Sequence, residues 1–390
     1  MENKKHNILI VAGEASGDGH AAKLVKAISE VSPETEFTFF GAAGSKMRSV
    51  GVEAVVKADE LSIVGLPEIA KALPMFLKAF RDLKMAAVER KADAIVLVDF
   101  PDFNLKLAKT LKKMGFKVIY YISPQLWAWR KYRLRTIRDH VDLLITILPF
   151  EKDWYSKHGI GHVEYVGNPL AMEVHAERSK LEFCEKYDLD PDKPVISLLP
   201  GSRHKEIVRI LPVLLKSAAL MSKRDEEIQF IIASASPANA VDAVKFLSDC
   251  GELARSLPKK IIVVNNDTYN ALNASDAAAV TSGTATLETG IIGTPMAIVY
   301  KTSTFNYKLL RPLISVEHFG LINLIAGERV AKELIQDDLT PQTLADELFR
   351  LLQADENKRV RAALAYVTDT LGHGGASKRA AEAIFKELQK

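Results

Sequence analysis

At 390 residues the chain is longer than one compact core usually encloses, so two domains, each burying its own apolar interior, are expected. Its 48% hydrophobic and 26% charged residues with a formal net charge of +3 match an ordinary soluble enzyme, exclude a dedicated nucleic-acid binder, and make any basic contact a local one. Cys184 and Cys250 belong to no Cys-x-x-Cys pair, which excludes a disulfide framework and structural zinc and points to a reducing compartment.

The start "MENKKHNILIVAGE" is basic, but its apolar stretch is short and runs into Glu14, which suits a first strand and not a signal peptide. No run of eighteen apolar residues occurs, so no membrane-spanning helix is expected. After Ile8–Ala12 comes the turn "GEASGDG" and a helical pattern. It lacks the Gly-Lys-Ser/Thr of a Walker A loop, and Gly13, Gly17 and Gly19 miss the Gly-x-Gly-x-x-Gly spacing. A helix amino terminus favours an anion by roughly 0.3 to 1 kcal/mol, and two carboxylates in the same turn oppose that preference. The loop therefore reads in two ways. Glu14, Ser16, Asp18 and His20 offer donors and acceptors to a hydroxyl-rich sugar, or Ser16 or Asp18 simply caps the helix.

The runs "FTFFG", "AIVLVDF", "KVIYYISP", "LLITILPF" and "VEYVG" follow, with helical segments such as "NLKLAKTLKKMG" between some of them. This alternation predicts βαβ units around a parallel sheet. Between the first two, "ELSIVGLPEIAKALPMFLKAF" carries Leu61, Ile63, Val64, Leu66, Ile69, Leu73, Met75, Phe76, Leu77 and Phe80, broken by Pro67 and Pro74. Such residues are core, or, if exposed, a lipid-facing or acyl-binding surface. "AIVLVDFPDFN" ends a buried strand at Asp99, placed as a general base, with Asp102 as the competitor and a helix cap as the role of whichever is not the base. In "WAWRKYRLRTIRDH", Trp127, Trp129, Arg130, Lys131, Arg133, Arg135 and Arg138 fit a phosphate-bearing lipid headgroup, RNA, or a solvated helix, and the near-neutral total charge disfavours RNA.

The strand signal stops in "GNPLAMEVHAERSKLEFCEKYDLDPDKP", a linker with a connecting helix, and restarts at Val195 with "VISLLPGSRHKEIVRILPVLL", "IQFIIASAS", "KIIVVNND", "AAAVTSGT" and "PMAIVYK". Two doubly wound α/β domains facing a central cleft would hold ligands outside the carboxyl ends of their strands. In "LLPGSRHKEI", Gly201 and Ser202 form the turn and Arg203 opens the helix, a diphosphate clamp of amides and guanidinium or, alternatively, a solvated basic face. In "AAAVTSGTATLETG", Ser282, Gly283, Thr284 and Ala285 allow close ligand approach, and Glu288, about one turn beyond Ala285, accepts from both hydroxyls of a ribose. A capping box at this helix start would need Ala285 as the cap, which has no side-chain oxygen. The final "SKRAAEAIFKELQK" is an amphipathic helix.

Taken in order, "AGEASGD", "DFPDFN", "YYISPQLWAWR", "LPFEKDWY", "LLPGSRHKEI", "SGTATLETG" and "NLIAGERVAKELIQ" resemble the lipid-A-disaccharide synthase family, from about Ile8 to Gln336, and the C-terminal helix is compatible. The resemblance implies a GT-B fold of two Rossmann-like domains: 1–175, with a helix at about 365–390 crossing back to it, and 176–364. It implies an inverting, metal-independent enzyme without a cofactor. That enzyme joins UDP-2,3-diacylglucosamine to the 6-hydroxyl of 2,3-diacylglucosamine 1-phosphate, with release of UDP, in lipid A synthesis. It would work peripherally on the cytoplasmic face of the inner membrane, without nucleic acid, as a monomer or a homodimer. By the same resemblance Asp99 is the catalytic carboxylate, Asn323 a polar active-site residue, Arg203 the diphosphate arginine, Glu288 the ribose acid, and Trp127 joins the acceptor residues Glu14, Ser16, Asp18 and His20. Two positions depart from the family pattern: Ile322 stands where proline is expected, and Asn168 where histidine is usual. The rival functions are another UDP-sugar glycosyltransferase, a UDP-N-acetylglucosamine 2-epimerase, and a UDP-sugar-binding module without turnover.

Overall fold

In the computed structural model, which describes residues 5–61, 69–249, 251–303, 307 and 316–390, the apolar runs of the first half become strands β1 (Lys5–Ala12), β2 (Glu36–Ala43), β3 (Glu53–Lys57), β4 (Ala94–Val98), β5 (Val118–Tyr121), β6 (Leu143–Thr146) and β7 (Val163–Tyr165). They form one parallel sheet in the order β3-β2-β1-β4-β5-β6-β7. Successive side chains of a strand point to opposite faces, and in a parallel sheet both faces are covered. Accordingly Leu9 and Val11 of β1 join one apolar cluster with Leu83, Phe103 and Leu107. Ile8, Ile10 and Ala12 join another, with Leu24, Ile28 and Ile384.

The second half repeats the pattern. Strands β8 (Val195–Leu199), β9 (Gln229–Ser234), β10 (Ile261–Asn265), β11 (Ala277–Thr281), β12 (Met296–Tyr300) and β13 (Glu333–Ile335) form a parallel sheet in the order β10-β9-β8-β11-β12-β13. In both sheets the order reverses beside the first strand, between β1 and β4 and between β8 and β11. These are the topological switch points at which doubly wound sheets hold ligands.

The chain divides into two compact units, Met1–Pro169 together with His373–Lys390, and Leu170–Gly372. The boundaries differ from those expected at 175 and about 365 for a packing reason. Leu170 and Ala171 already lie against the second core, and Val360, Leu364 and Val367 of the helix Ala354–Asp369 are buried in it. The helix Ala376–Leu388 belongs to the first unit, where Ala380, Ala381 and Ile384 are buried. Arg379 Nε donates to the Val166 carbonyl at 2.8 Å and Lys117 Nζ to the Glu387 carbonyl at 2.5 Å.

Ile63, Val64, Leu66, Pro67 and Cys250 lie outside the described residues. The helix Ile69–Glu89 runs through Pro74 and splits the remaining apolar positions. Met75, Phe76 and Phe80 pack on the core, whereas Leu73 and Leu77 are 54% and 62% exposed. Among the described residues no helix is long and apolar enough to cross a membrane.

Truncating Ile384, which is fully buried, should remove its transfer energy and leave a cavity under the first sheet. Ile384→Ala is expected to lower the unfolding free energy by about 2 to 4 kcal/mol in urea denaturation. Tyr366→Ala, at a residue 79% exposed, should shift it by about 0.5 kcal/mol or less.

Candidate active site

Asp99 directly follows β4, and both it and Phe100 take left-handed backbone angles, each with φ 50°. Non-glycine residues pay for that conformation unless their surroundings hold it. Here the Asp99 carbonyl accepts from Tyr120 Oη at 2.6 Å and from Asn104 Nδ2 at 2.8 Å, and the Asp99 amide donates to the Tyr121 carbonyl at 3.0 Å. Pro101 then starts the helix Pro101–Lys113. The first loop packs on the same turn: a Cβ on Gly13 would lie 2.2 Å from the Phe100 ring, so glycine is required for the two loops to meet.

These contacts aim a partly buried carboxylate. Burial, and then the negative charge of Glu14, push Asp99 up to about 6, against the opposing pull of the Phe100 amide. Asp102 is different. Burial would raise it, but the hydrogen bond and charge of Arg133, together with Arg130 at 2.7 Å, outweigh burial and hold it below the usual carboxylate range. It is an ion-pair partner and makes no side-chain cap for its helix, which corrects the expectation that the second aspartate would be a cap.

Of the acceptor set, Glu14 and Ser16 are exposed and His20 is half-buried. Asp18 is buried and committed elsewhere. Its carboxylate accepts from the amides of Gly44 at 2.8 Å, Lys46 at 2.8 Å and Met47 at 3.2 Å, fixing the start of the helix Ser45–Ser49. Neither Ser16 nor Asp18 caps the helix Ala15–Val31, which begins after Glu14 without a side-chain cap. Trp127 is also taken out of the ligand-facing set: it is buried, and its Nε1 donates to Glu151 Oε1 at 3.0 Å. Glu151 further accepts from Ser123 Oγ at 2.6 Å and from the Leu148 amide at 3.1 Å. Burial pushes it up to about 7 despite these bonds. The exposed aromatics of this stretch are Trp129, with the Arg130 guanidinium 4.1 Å from its ring centroid, and Tyr132.

The second unit holds a cavity of about 890 Å³ at its switch point, walled by Gly201, Ser202 and Arg203 after β8 and by Ser282, Gly283, Thr284, Ala285 and Glu288 after β11. Gly201 has φ 113° and Gly283 φ 148°, conformations that suit glycine. Arg203 is the residue before the helix His204–Arg224, and its side chain is 81% exposed. Asn239 Nδ2 holds the Ser202 carbonyl at 3.0 Å, and Ser282 Oγ donates to the Phe319 carbonyl at 2.7 Å. Gly283, not Ala285, precedes the helix Thr284–Ile292, so Glu288 is free of a capping box. Burial raises Glu288, and Tyr269 Oη donates to its Oε1 at 3.2 Å.

Sequence reasoning missed Tyr269 and the buried Asp267 in this wall. Asp267 accepts from Lys186 Nζ at 2.8 Å, Tyr187 Oη at 2.8 Å and Asn270 Nδ2 at 2.6 Å, and pairs with Arg178 at 3.1 Å, tying the chain after Leu170 into the cavity. The signal was the "NNDTYN" turn after β10, a carboxyl strand end like the others. Asn323 is corrected in the opposite sense. It is fully buried, and its amide donates to the Ala331 carbonyl at 2.7 Å and Glu333 Oε1 at 2.9 Å while accepting from the Ala331 amide at 2.9 Å. It braces a loop and presents no free polar atom to a ligand. Ile322 is buried against Gly290, and Asn168 is buried in the first unit. Among the described residues no three His, Cys, Asp or Glu side chains gather to hold a metal ion.

Two parallel doubly wound units, each with its own switch point, place the chain in the GT-B fold class. The S. aureus MnaA–UDP co-structure superposes with a TM-score of 0.64 at 16% identity, covering 99% of this chain and 97% of that one. Sucrose-phosphate synthase from Thermosynechococcus elongatus does so with 0.60 at 13% identity, covering 99% of each. The lipid-A-disaccharide synthetase family model matches residues 8–387, and the lipid-A-disaccharide synthase of Syntrophus aciditrophicus (strain SB) is 43% identical over 384 residues, 98% of either chain. This chain belongs to the lipid-A-disaccharide synthetase family.

The raised Asp99 has a stability consequence. Its carboxyl ionises near 6 in the fold against 3.8 when unconstrained, so the unfolded chain is favoured progressively as pH rises between those values. Asp99→Asn is expected to raise the unfolding free energy by about 1 to 3 kcal/mol above pH 6. The gain should vanish as pH falls toward 4, as read by denaturant midpoints across the range.

Proposed function

We propose that this protein transfers 2,3-diacylglucosamine from its UDP derivative to the 6-hydroxyl of 2,3-diacylglucosamine 1-phosphate, forming a β-1,6-linked disaccharide 1-phosphate and UDP. Family membership over nearly the whole chain supports the reaction, and Asp99 is the observation that carries the mechanism. A carboxylate raised toward neutrality but still ionised at pH 7 is basic enough to take the acceptor hydroxyl's proton as the oxygen attacks the anomeric carbon. Glu14, Ser16 and His20, in the loop packed on the Asp99 turn, are the acceptor-side polar groups. The amides of Gly201, Ser202 and Arg203 with the Arg203 guanidinium take up charge on the departing UDP, the part a metal plays in other transferases. Ser282, Gly283, Thr284, Ala285 and Glu288 receive the remainder of the nucleotide, with Glu288 on the ribose hydroxyls.

Attachment to the cytoplasmic face of the inner membrane follows from the acylated substrates. Leu73, Leu77, Met85 and Val88 are exposed on one helix, and the same unit carries exposed Trp129, Tyr132, Lys131 and Arg135. Apolar side chains interleaved with cations suit an anionic lipid surface.

Asp99→Asn should lower turnover by about 10²- to 10⁴-fold while both lipids still bind. In the native enzyme kcat/KM should fall on the acid side with a midpoint near 6, as proton uptake removes the base, and UDP release across a pH series reads this directly. Replacing the acylated donor with UDP-N-acetylglucosamine should abolish product. Equal turnover of the two donors would favour another UDP-sugar enzyme, and no UDP release with either donor a binding module.

A further inference from the structure

The turn assigned to the donor diphosphate already holds an anion supplied by the chain itself. Glu206 Oε2 accepts from the amides of Ser202 at 3.1 Å and Arg203 at 3.3 Å, and Glu206 Oε1 accepts from Arg203 Nη1 at 3.0 Å. One carboxylate thus engages two backbone donors at a helix start and one guanidinium, the same set that would grip two phosphate oxygens. The fit is close. A Cβ on Gly201 would lie 2.6 Å from Glu206 Oε2 and 2.8 Å from its Cβ, so the glycine that leaves room for a phosphate also leaves room for this side chain.

We propose that Glu206 is a resident substitute for the diphosphate: its carboxylate holds the Ser202 and Arg203 amides and the Arg203 guanidinium until the nucleotide displaces it, and reclaims them as UDP leaves. This rests on the assignment of the turn to the donor diphosphate. A carboxylate and a diphosphate cannot share one set of donors without like-charge repulsion, so binding one expels the other. The exchange needs little rearrangement. Arg203 is 81% exposed, so its guanidinium can turn to a new anion, whereas the Glu206 carboxylate is 17% exposed and leaves the capping box that closes this helix start. The backbone is held independently, because Asn239 Nδ2 fixes the Ser202 carbonyl at 3.0 Å and His204 Nδ1 is paired with Asp242 Oδ2 at 2.7 Å. Only the side chains of Glu206 and Arg203 rotate. The turn stays ordered between turnovers, and the affinity for UDP is lowered, which favours release of product.

Isothermal titration of UDP into the full-length protein tests this with Glu206→Gln, which keeps the shape and an accepting oxygen but not the charge, and Glu206→Asp, which keeps the charge but is too short to reach the amides. Both variants are expected to bind UDP about three- to tenfold more tightly than the native chain. Thermal melts establish that each is folded. Equal or weaker binding by both variants overturns the proposal while leaving the donor assignment standing. Tightening by Glu206→Gln alone also overturns it, since simple charge repulsion then accounts for the effect. If the native chain does not bind UDP, or Arg203→Ala binds it as well as the native chain, the donor assignment fails and this inference falls with it.

Discussion

Parallel pairing governs this molecule. A parallel strand cannot return to its neighbour by a tight turn; a crossover, usually a helix, must carry the chain back across one face of the sheet. Within each sheet every strand therefore ends at the same edge, so the residues that follow β4 lie beside the reversal of strand order in the first sheet, and those that follow β8 and β11 beside the reversal in the second. Asp99, the Gly201–Arg203 turn and the Ser282–Ala285 turn owe their placement to this constraint more than to any local preference. The strands that carry these turns, β4, β8 and β11, are buried along their whole length, so apolar packing on both faces holds the ends from which the turns emerge.

On that scaffold the two units acquire opposite electrostatic characters. In the first, a carboxylate is partly stripped of solvent and placed near Glu14, while its neighbour Asp102 is neutralised by two arginines. The result is one weakly basic oxygen pair where the backbone is least comfortable. In the second, backbone amides and an exposed guanidinium surround a glycine turn, with Glu206 supplying the counter-charge. A deprotonating group and an anion-accepting group are what an inverting sugar transfer without a metal asks of a protein. In the proposed function the two groups fall to separate units, one for acceptor activation and one for leaving-group stabilisation.

Several polar residues that look functional in one dimension turn out to be fasteners. Asp18 sits in the glycine-rich loop among candidate sugar ligands, yet its carboxylate is used up by three amides of the 44–47 turn. Trp127 lies among cations and aromatics, yet its indole is spent on Glu151. Asn323 belongs to a strong family motif and braces Ala331 and Glu333. The partners of Asp18 and Trp127 lie more than twenty residues away, and those of Asn323 lie eight and ten residues on, within its own motif; in none of the three does spacing display that the hydrogen-bonding capacity is already consumed. Asp267 is the converse: an acid with no motif around it becomes the knot that fastens the linker to the cavity of the second unit.

The sequence by itself determined the alternation of apolar runs and helical segments, hence the two parallel sheets, and it determined which turns follow strands, hence Asp99, Arg203 and Glu288 as candidates for the site. These are legible because they depend on period and on neighbours within a few positions. The tertiary structure alone decided that Asp102 is tied to two arginines and Asp99 is not, which loop polar groups are spent on the chain itself, and that the C-terminal helix completes the first core. Those outcomes turn on desolvation and on partners many residues away. Both are properties of the folded surroundings, which the order of residues along the chain does not display.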